Sequence, residues 1–336
     1  MARVLVLFGG RSAEHEVSCV SAVAVVAALE EGAHDVVLVG IDRDGAWWLA
    51  DGSTDPVVAA GIETHLELPA GRLVADGVGV EFDVVFPVLH GPFGEDGTIQ
   101  GVFEIAGIPY VGCGVAASAV AMEKDLTKRL AVQAGIPTCA WRVVRQTDFL
   151  DPSRVADDVI GDLGLPVFVK PVELGSSVGI TRCGTDLELK DGILKALDYG
   201  AKVIVESEVR GREIEVAVLE GPRVSLPGEV VVADGWYDYD AKYHDVSSRF
   251  DAPADLTSDQ TERVRALAER TFVALECRGL ARIDFFLDAE TGAFLLNEVN
   301  TMPGFTPISG FPKMWMASGM TYPELCNELV EIALRN

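Results

Sequence analysis

The chain has 336 residues, 49% of them apolar, and a formal net charge of −25. That length holds two or three compact units with sizeable cores, and so acidic a balance argues against a nucleic-acid surface, which needs clustered Lys and Arg. No apolar run approaches the ~20 residues of a membrane-spanning helix, so membrane insertion is not expected.

Cys19, Cys113, Cys139, Cys183, Cys277 and Cys326 are scattered without a C-x-x-C pair. This suggests neither a zinc site nor a disulfide framework and points to a reducing cytoplasm. In chain order, M-A-R-V-L-V-L-F-G-G reads as a buried first strand ending in a glycine turn, too short for a signal peptide. The segment from Arg11 to Ser18 then opens a helix. Two readings stand there: Glu14 facing a ligand's ammonium group where an open parallel sheet presents ligands, or Ser12 capping a helix whose dipole the acidic residues complement. Further alternation of apolar runs, D-V-V-L-V-G-I and F-D-V-V-F-P-V-L, with helix-like segments indicates parallel strands joined by helical crossovers, a doubly wound layer. His90, in V-L-H-G-P-F-G-E-D-G just beyond a strand, is either ligand-facing or hydrogen-bonded within a turn.

Ala121 to Gly135 reads as one helix closed by Gly135, at a domain junction. The strand L-P-V-F-V-K-P ends in Lys170, and Gly175-Ser176-Ser177-Val178-Gly179 follows. Taken alone, the glycine-rich stretch is a hairpin turn. After a buried strand and a lysine it reads as a flap whose backbone N–H groups approach a triphosphate. Neither the Walker pattern nor G-x-G-x-x-G occurs, which weakens an oxidoreductase reading. A helix near Asp186 to Asp198 precedes the strand K-V-I-V-E-S-E-V. Glu206 and Glu213 flank the junction with E-I-E-V-A-V-L, either as a solvated loop or as a hinge across which adenine lies. E-I-E-V-A-V-L and S-L-P-G-E-V-V-V suggest an antiparallel sheet, Ala233 to Pro253 a long functional loop, and Thr261 to Leu275 a helix.

The run L-L-N-E-V-N-T-M-P-G-F-T-P-I-S-G-F-P-K carries most of the chemistry. On a strand, Glu298 and Asn300 project from one face, and Asp284 ends another strand-like run, G-L-A-R-I-D-F-F-L. Carboxylates and an amide oxygen are hard ligands that suit magnesium bound with a nucleotide's phosphates. The stiff turn that follows, rich in Pro and Gly, is one that neither a helix nor a central strand would choose.

With these residues in view, the whole chain resembles the D-alanine:D-alanine ligases of the ATP-grasp superfamily. The matching motifs are F-G-G-R-S-A-E-H-E-V-S, L-H-G-P-F-G-E-D-G-T-I-Q-G, M-E-K-D, V-K-P-V-E-L-G-S-S-V-G, Y-D-Y-D-A-K-Y, G-L-A-R-I-D and N-E-V-N-T-M-P-G-F-T, in that order. The resemblance implies an ATP-grasp fold, α/β and α+β, with a doubly wound parallel-sheet domain over 1–114, a central lobe over 115–205 and a catalytic lobe over 206–336. It implies ATP-dependent joining of D-alanines through an acyl phosphate, for peptidoglycan precursors, with magnesium (manganese as a substitute) and a homodimeric assembly.

Carried over by position, the resemblance implies that Lys124, Lys170 and Ser177 contact ATP phosphates and that Glu206, Val209 and Glu213 hold the adenosine end. Asp284, Glu298 and Asn300 bind two magnesium ions, while Arg282 and the Gly304 N–H stabilise the oxyanion. Glu14 anchors the first substrate's ammonium with His90 near its carboxylate, Glu14, Ser176 and Tyr243 close the loop over the site, and Lys242 and Ser309 hold the second carboxylate. The Lys242-Tyr243 pair points to an amine nucleophile. Gly310-Phe311 departs from the family's usual Leu or Met followed by Tyr, so a larger second D-amino acid is an open expectation. A ligase joining D-alanine to D-serine or D-lactate, and a catalytically silent nucleotide sensor, are the competing readings.

Overall fold

The computed structural model describes residues 1–52, 58–173, 179–231 and 249–336. Its first unit is a seven-stranded sheet of order β6-β5-β4-β3-β2-β1-β7. The strands are β1 (Arg3–Gly9), β2 (Asp35–Ile41), β3 (Trp47–Leu49), β4 (Ile62–Glu67), β5 (Arg72–Ala75), β6 (Val78–Val80) and β7 (Val84–Val88). Val4 to Phe8 are all buried, as expected for a strand covered on both faces. β1 runs parallel to β2 and β7, as the alternating pattern predicted. From β3 to β6 the sheet continues as an antiparallel meander that the alternation did not indicate. Helix α1 (His15–Glu31) covers one face, and α2 (Thr98–Ala106) packs with Leu5, Leu7 and Val39 on the other.

The single helix expected from Ala121 to Gly135 is two helices, α3 (Val115–Met122) and α4 (Lys124–Gln133). Glu123 breaks them with φ −86° and ψ 89°. The break has tertiary causes: the Lys124 N–H donates to the Val172 carbonyl at 3.4 Å, and Lys202 pairs with the Glu123 carboxylate. Gly135 does close the second helix, in the left-handed region at φ +70°.

The central lobe is a four-stranded antiparallel sheet of order β10-β9-β11-β8. It comprises β8 (Trp141–Arg145), β9 (Val167–Pro171), β10 (Thr181–Cys183) and β11 (Lys202–Ser207). Helices α5 (Pro152–Leu163) and α6 (Asp186–Leu197) bury Val155, Val159, Leu189 and Ile193 against it. The third sheet runs β15-β14-β12-β16-β17, with β13 beside β12. Its strands are β12 (Gly211–Leu219), β13 (Arg223–Val224), β14 (Gly228–Val231), β15 (Arg249–Asp251), β16 (Leu280–Asp288) and β17 (Phe294–Asn300). β12 and β14 pair antiparallel as expected. Of the long loop expected over 233–253, 233–248 lies outside the described residues and Arg249–Asp251 forms an edge strand.

Helix α7 (Ser258–Ala274) packs Val264, Ala268 and Phe272 against one face of this sheet. Helices α8 (Gly310–Ala317) and α9 (Tyr322–Arg335) follow β17. Phe305, Phe311, Leu325 and Leu329 share a core with Val6, Phe8, Ala22 and Leu29 of the first unit. The end of the chain is therefore a structural part of the first domain's wall.

Candidate active site

Strand periodicity and one irregularity build the centre of the site. Along β16, Ala281, Ile283, Phe285 and Leu287 point into the core, so Arg282 and Asp284 share the opposite face. On β17 a strict alternation would put Glu298 and Asn300 on the same side as the buried Phe294 and Leu296. A register shift between Asp284 and Phe285 prevents this: Phe285 pairs with Leu296 while Asp284 pairs with Glu298, leaving Asn297 as the extra residue. Beyond the bulge Val299 takes the core position, and Glu298 and Asn300 turn to the polar face. Glu298 and Asn300 share one face, as their two-residue spacing predicts, and the bulge is the reason that this face is the polar one and not the core.

The acidic groups of this face gather around one guanidinium. Arg282 donates from Nε and Nη2 to the two oxygens of Asp284 at 2.8 and 2.7 Å, and its Nε lies 3.2 Å from Glu215 Oε2. Asn300 Nδ2 donates to Asp284 Oδ2 at 2.9 Å. Glu298 faces Lys124 at 3.7 Å. Burial disfavours the charge on Arg282, but Asp284 and Glu215 more than reverse that and hold its pKa well above the usual range. Among the described residues no group of three or more His, Cys, Asp or Glu is placed to hold a metal ion. The expected set is two carboxylates and an amide on paired strands. Its chemistry fits a hard divalent cation shared with phosphate oxygens, which would supply the remaining ligands.

A second buried charge cluster joins the central lobe to α4. Glu206 on β11 lies between Lys170 of β9 at 2.7 Å and Lys128 of α4 at 3.1 Å. Burial pushes the Glu206 carboxyl up, and the two lysines more than offset it, bringing it down to about 2. Lys170 moves the opposite way: burial lowers its pKa, and Glu206 raises it further than burial depresses it. Glu206, expected at the adenosine end, is thus tied to the lysine expected at the phosphates. Lys128, fully buried, was not singled out from the sequence, although it stands one helical turn after Lys124 in K-D-L-T-K. Val209 lies in the link between β11 and β12, and Glu213 and Glu215 share one face of β12.

The first domain contributes the loops after β1 and β7. The helix begins at His15 with Glu14 in the N-cap place and no side-chain cap. Ser12 does not cap it; its hydroxyl donates to the His90 carbonyl at 2.7 Å and accepts from the Glu14 N–H at 3.2 Å, tying the two loops together. Glu16 pairs with Arg43 at the surface. His90 is buried, with Nδ1 donating to the Met302 carbonyl at 2.9 Å and Nε2 3.5 Å from Ser21 Oγ. Burial keeps its pKa below the ordinary value, so the ring is neutral and links this domain to the turn after β17.

Glu95, also missed from the sequence, accepts from the N–H groups of Gly91 at 2.8 Å and Met302 at 3.2 Å. Burial, with Glu14 adding to it, pushes its carboxyl up to about 8. Its only signal in the sequence is its place in the motif L-H-G-P-F-G-E-D-G, which also holds His90.

Ser309 Oγ accepts from the Thr306 N–H at 3.1 Å and shares a 2.8 Å bond with Thr306 Oγ1. That ties the start of α8 to the Pro- and Gly-rich turn, where a Cβ on Gly304 would stand 3.2 Å from Ser309 Oγ. The structure therefore brings together Lys124, Arg282, Asp284, Glu298 and Asn300, with Ser309 and Gly304 on the adjoining turn. Ser176, Ser177, Lys242 and Tyr243 lie outside the described residues.

Two family models match the chain: the D-ala D-ala ligase N-terminus over residues 3–113 and the D-ala D-ala ligase C-terminus over residues 130–331. The chain is 46% identical to a D-alanine-D-alanine ligase of Mycobacterium ulcerans, across 99% of this chain and 95% of that protein. It is 42% identical to one from Acetivibrio thermocellus, across 99% and 96%. Among solved structures it is similar to D-alanyl-alanine synthetase A of Vibrio cholerae, with a TM-score of 0.89 and 36% identity over 99% of this chain and 98% of that one. It is also similar to the VanG D-Ala:D-Ser ligase of Enterococcus faecalis, with a TM-score of 0.88 and 32% identity over 98% and 99%.

Proposed function

Because the chain belongs to the D-alanine:D-alanine ligase family, we propose that its site joins two D-alanines with ATP, through a D-alanyl phosphate, to give a dipeptide for peptidoglycan precursors. The observation that carries this reading is the Arg282, Asp284, Glu298 and Asn300 face, intact on β16 and β17 and flanked by Lys124. A silent nucleotide sensor would have no need to keep it.

The reaction divides into two steps. An unactivated carboxylate has a poor leaving group, so the first D-alanine's carboxylate takes the terminal phosphoryl group of ATP. The second D-alanine's amine then attacks that carbonyl and displaces phosphate. Lys124 and Lys170 neutralise phosphate charge, Ser177 contacts the phosphates, and Glu206, Val209 and Glu213 frame the adenosine end. Lys128 and Lys170 hold Glu206 ionised, which fixes that lysine pair in place. Asp284, Glu298 and Asn300 would hold magnesium, or manganese in its place, which supplies charge neutralisation at the phosphates.

Arg282 and the Gly304 N–H stabilise the oxyanion formed when the amine attacks. Glu14 receives the first substrate's ammonium, and a hydrogen-bonded set of Glu14, Ser176 and Tyr243 would close the site so that water is kept from the acyl phosphate. His90, neutral and held between Met302 and Ser21, orients the wall near the first carboxylate. Lys242 and Ser309 take the second carboxylate. A homodimeric assembly is proposed from the family resemblance alone.

Incubation with ATP, Mg2+ and D-alanine labelled with 18O in its carboxylate tests the scheme. One labelled oxygen should appear in the released phosphate for each dipeptide formed. Dipeptide without label transfer contradicts the acyl phosphate, and phosphate release only when D-serine or D-lactate is added contradicts the assignment of the second substrate.

A further inference from the structure

We propose that Phe250 sets the side-chain size accepted at the second amino-acid position. The proposal rests on the functional reading above. Gly310 opens α8 directly after Ser309, and the missing side chain there suggests spare room in this sequence. The structure fills that room. A Cβ on Gly310 would lie 3.0 Å from two ring carbons of Phe250 and 2.6 Å from Glu215 Oε2. Phe250 rests on a second glycine, Gly228 of β14, whose Cβ would stand 2.2 and 2.6 Å from ring carbons and 3.1 Å from Met314 Cγ.

One aromatic ring thus occupies the volume that side chains at 228 and 310 would otherwise take, and Lys313 Nζ lies 6.0 Å from its centroid. The position borders the reacting groups: Glu215, the other neighbour of Gly310, is 3.2 Å from Arg282 Nε. An apolar wall at this place discriminates by size, where a single methylene changes selectivity by about 10- to 200-fold. Phe250 therefore does from β15 what a larger residue at 310 would do from α8, and the glycine does not widen the subsite.

The test compares wild type, F250A, F250L and F250A/G310M. Each is incubated with ATP, Mg2+ and D-alanine mixed with D-valine or D-leucine, and the dipeptides are sequenced by tandem mass spectrometry. F250A should raise the ratio of D-Ala-D-Val and D-Ala-D-Leu to D-Ala-D-Ala by about tenfold or more. F250A/G310M should return it toward wild type.

F250L keeps apolar packing and should move the ratio in the same direction by less, which preserves the test if F250A fails to fold. An unchanged ratio in a folded, active F250A or F250L overturns the proposal, as does a bulky residue found only at the amino-terminal position. A wild type inactive on D-alanine defeats the functional reading instead, and the wild-type reaction separates that failure from this one.

Discussion

Arg282 stands among Glu215, Asp284 and Glu298, bonded to the first two and in the field of the third. Its fork fits Asp284 with two parallel bonds, a geometry that lysine cannot reproduce. Arg282→Ala removes the group proposed as oxyanion donor and leaves the carboxylates of Glu215 and Asp284 to repel one another. Turnover is expected to fall by about 100-fold or more, with nucleotide binding by equilibrium dialysis retained; unchanged turnover would remove Arg282 from the chemistry.

Glu95 gives a pH prediction of definite sign. Burial raises its folded carboxyl to about 8, from the ordinary glutamate value of 4.5. The native state therefore keeps a proton that the unfolded state releases between those values. Through that window wild type loses stability as pH rises, by at most about 1.4 kcal/mol per unit. Glu95→Gln should lack this slope, so the difference between the two urea-unfolding curves should carry it. Below that window the variant should be less stable by about 1–3 kcal/mol, because its amide nitrogen cannot accept from one of the N–H groups of Gly91 and Met302, and the deficit should shrink as pH rises. A difference curve flat with pH would contradict the assignment.

At the scale of elements, the turn before β16 shows how close the packing is between the first domain and the catalytic sheet. Gly279 has φ +63°, and a Cβ there would meet the backbone N and O of Gly112 at 2.9 Å. Both atoms are main chain and cannot move aside. Gly279→Ala should therefore lower unfolding stability by about 2 kcal/mol or more, through strain and overpacking together. Gly221→Ala serves as the control, since it also has positive φ (+102°) but an open surrounding. Equal losses in the two variants would assign the effect to backbone conformation alone.

The same contrast marks what the sequence made legible. β1 could be read because its apolar run is continuous, and β12 against β14 because the runs were separated by turn residues. The break at Glu123 was not legible, since Val172 and Lys202 cause it from a distance. Nor was the bulge at Asn297, on which the direction of Glu298 and Asn300 depends. At the site, Asp284, Glu298 and Asn300 could be singled out from the strands that carry them, whereas Lys128, Glu95 and Glu215 became visible only through burial and partners.

For the whole molecule, the chain's final helix α9 and the turn at Phe305 complete the core under β1 and α1, so the first domain and the catalytic sheet share one hydrophobic wall. The His90 to Met302 bond and the paired contacts of Glu95 cross the same boundary. A net charge of −25 places a phosphate-binding site at a disadvantage. Lys124, Lys128 and Lys170 concentrate positive charge where the lobes meet.

The most direct measurement is a crystal structure with Mg2+, a non-hydrolysable ATP analogue and D-alanine. The account predicts metal density bounded by Asp284, Glu298 and Asn300, with the terminal phosphate facing the carboxylate of a D-alanine whose ammonium meets Glu14. A nucleotide bound elsewhere, with those three side chains making no contact to metal, would contradict it.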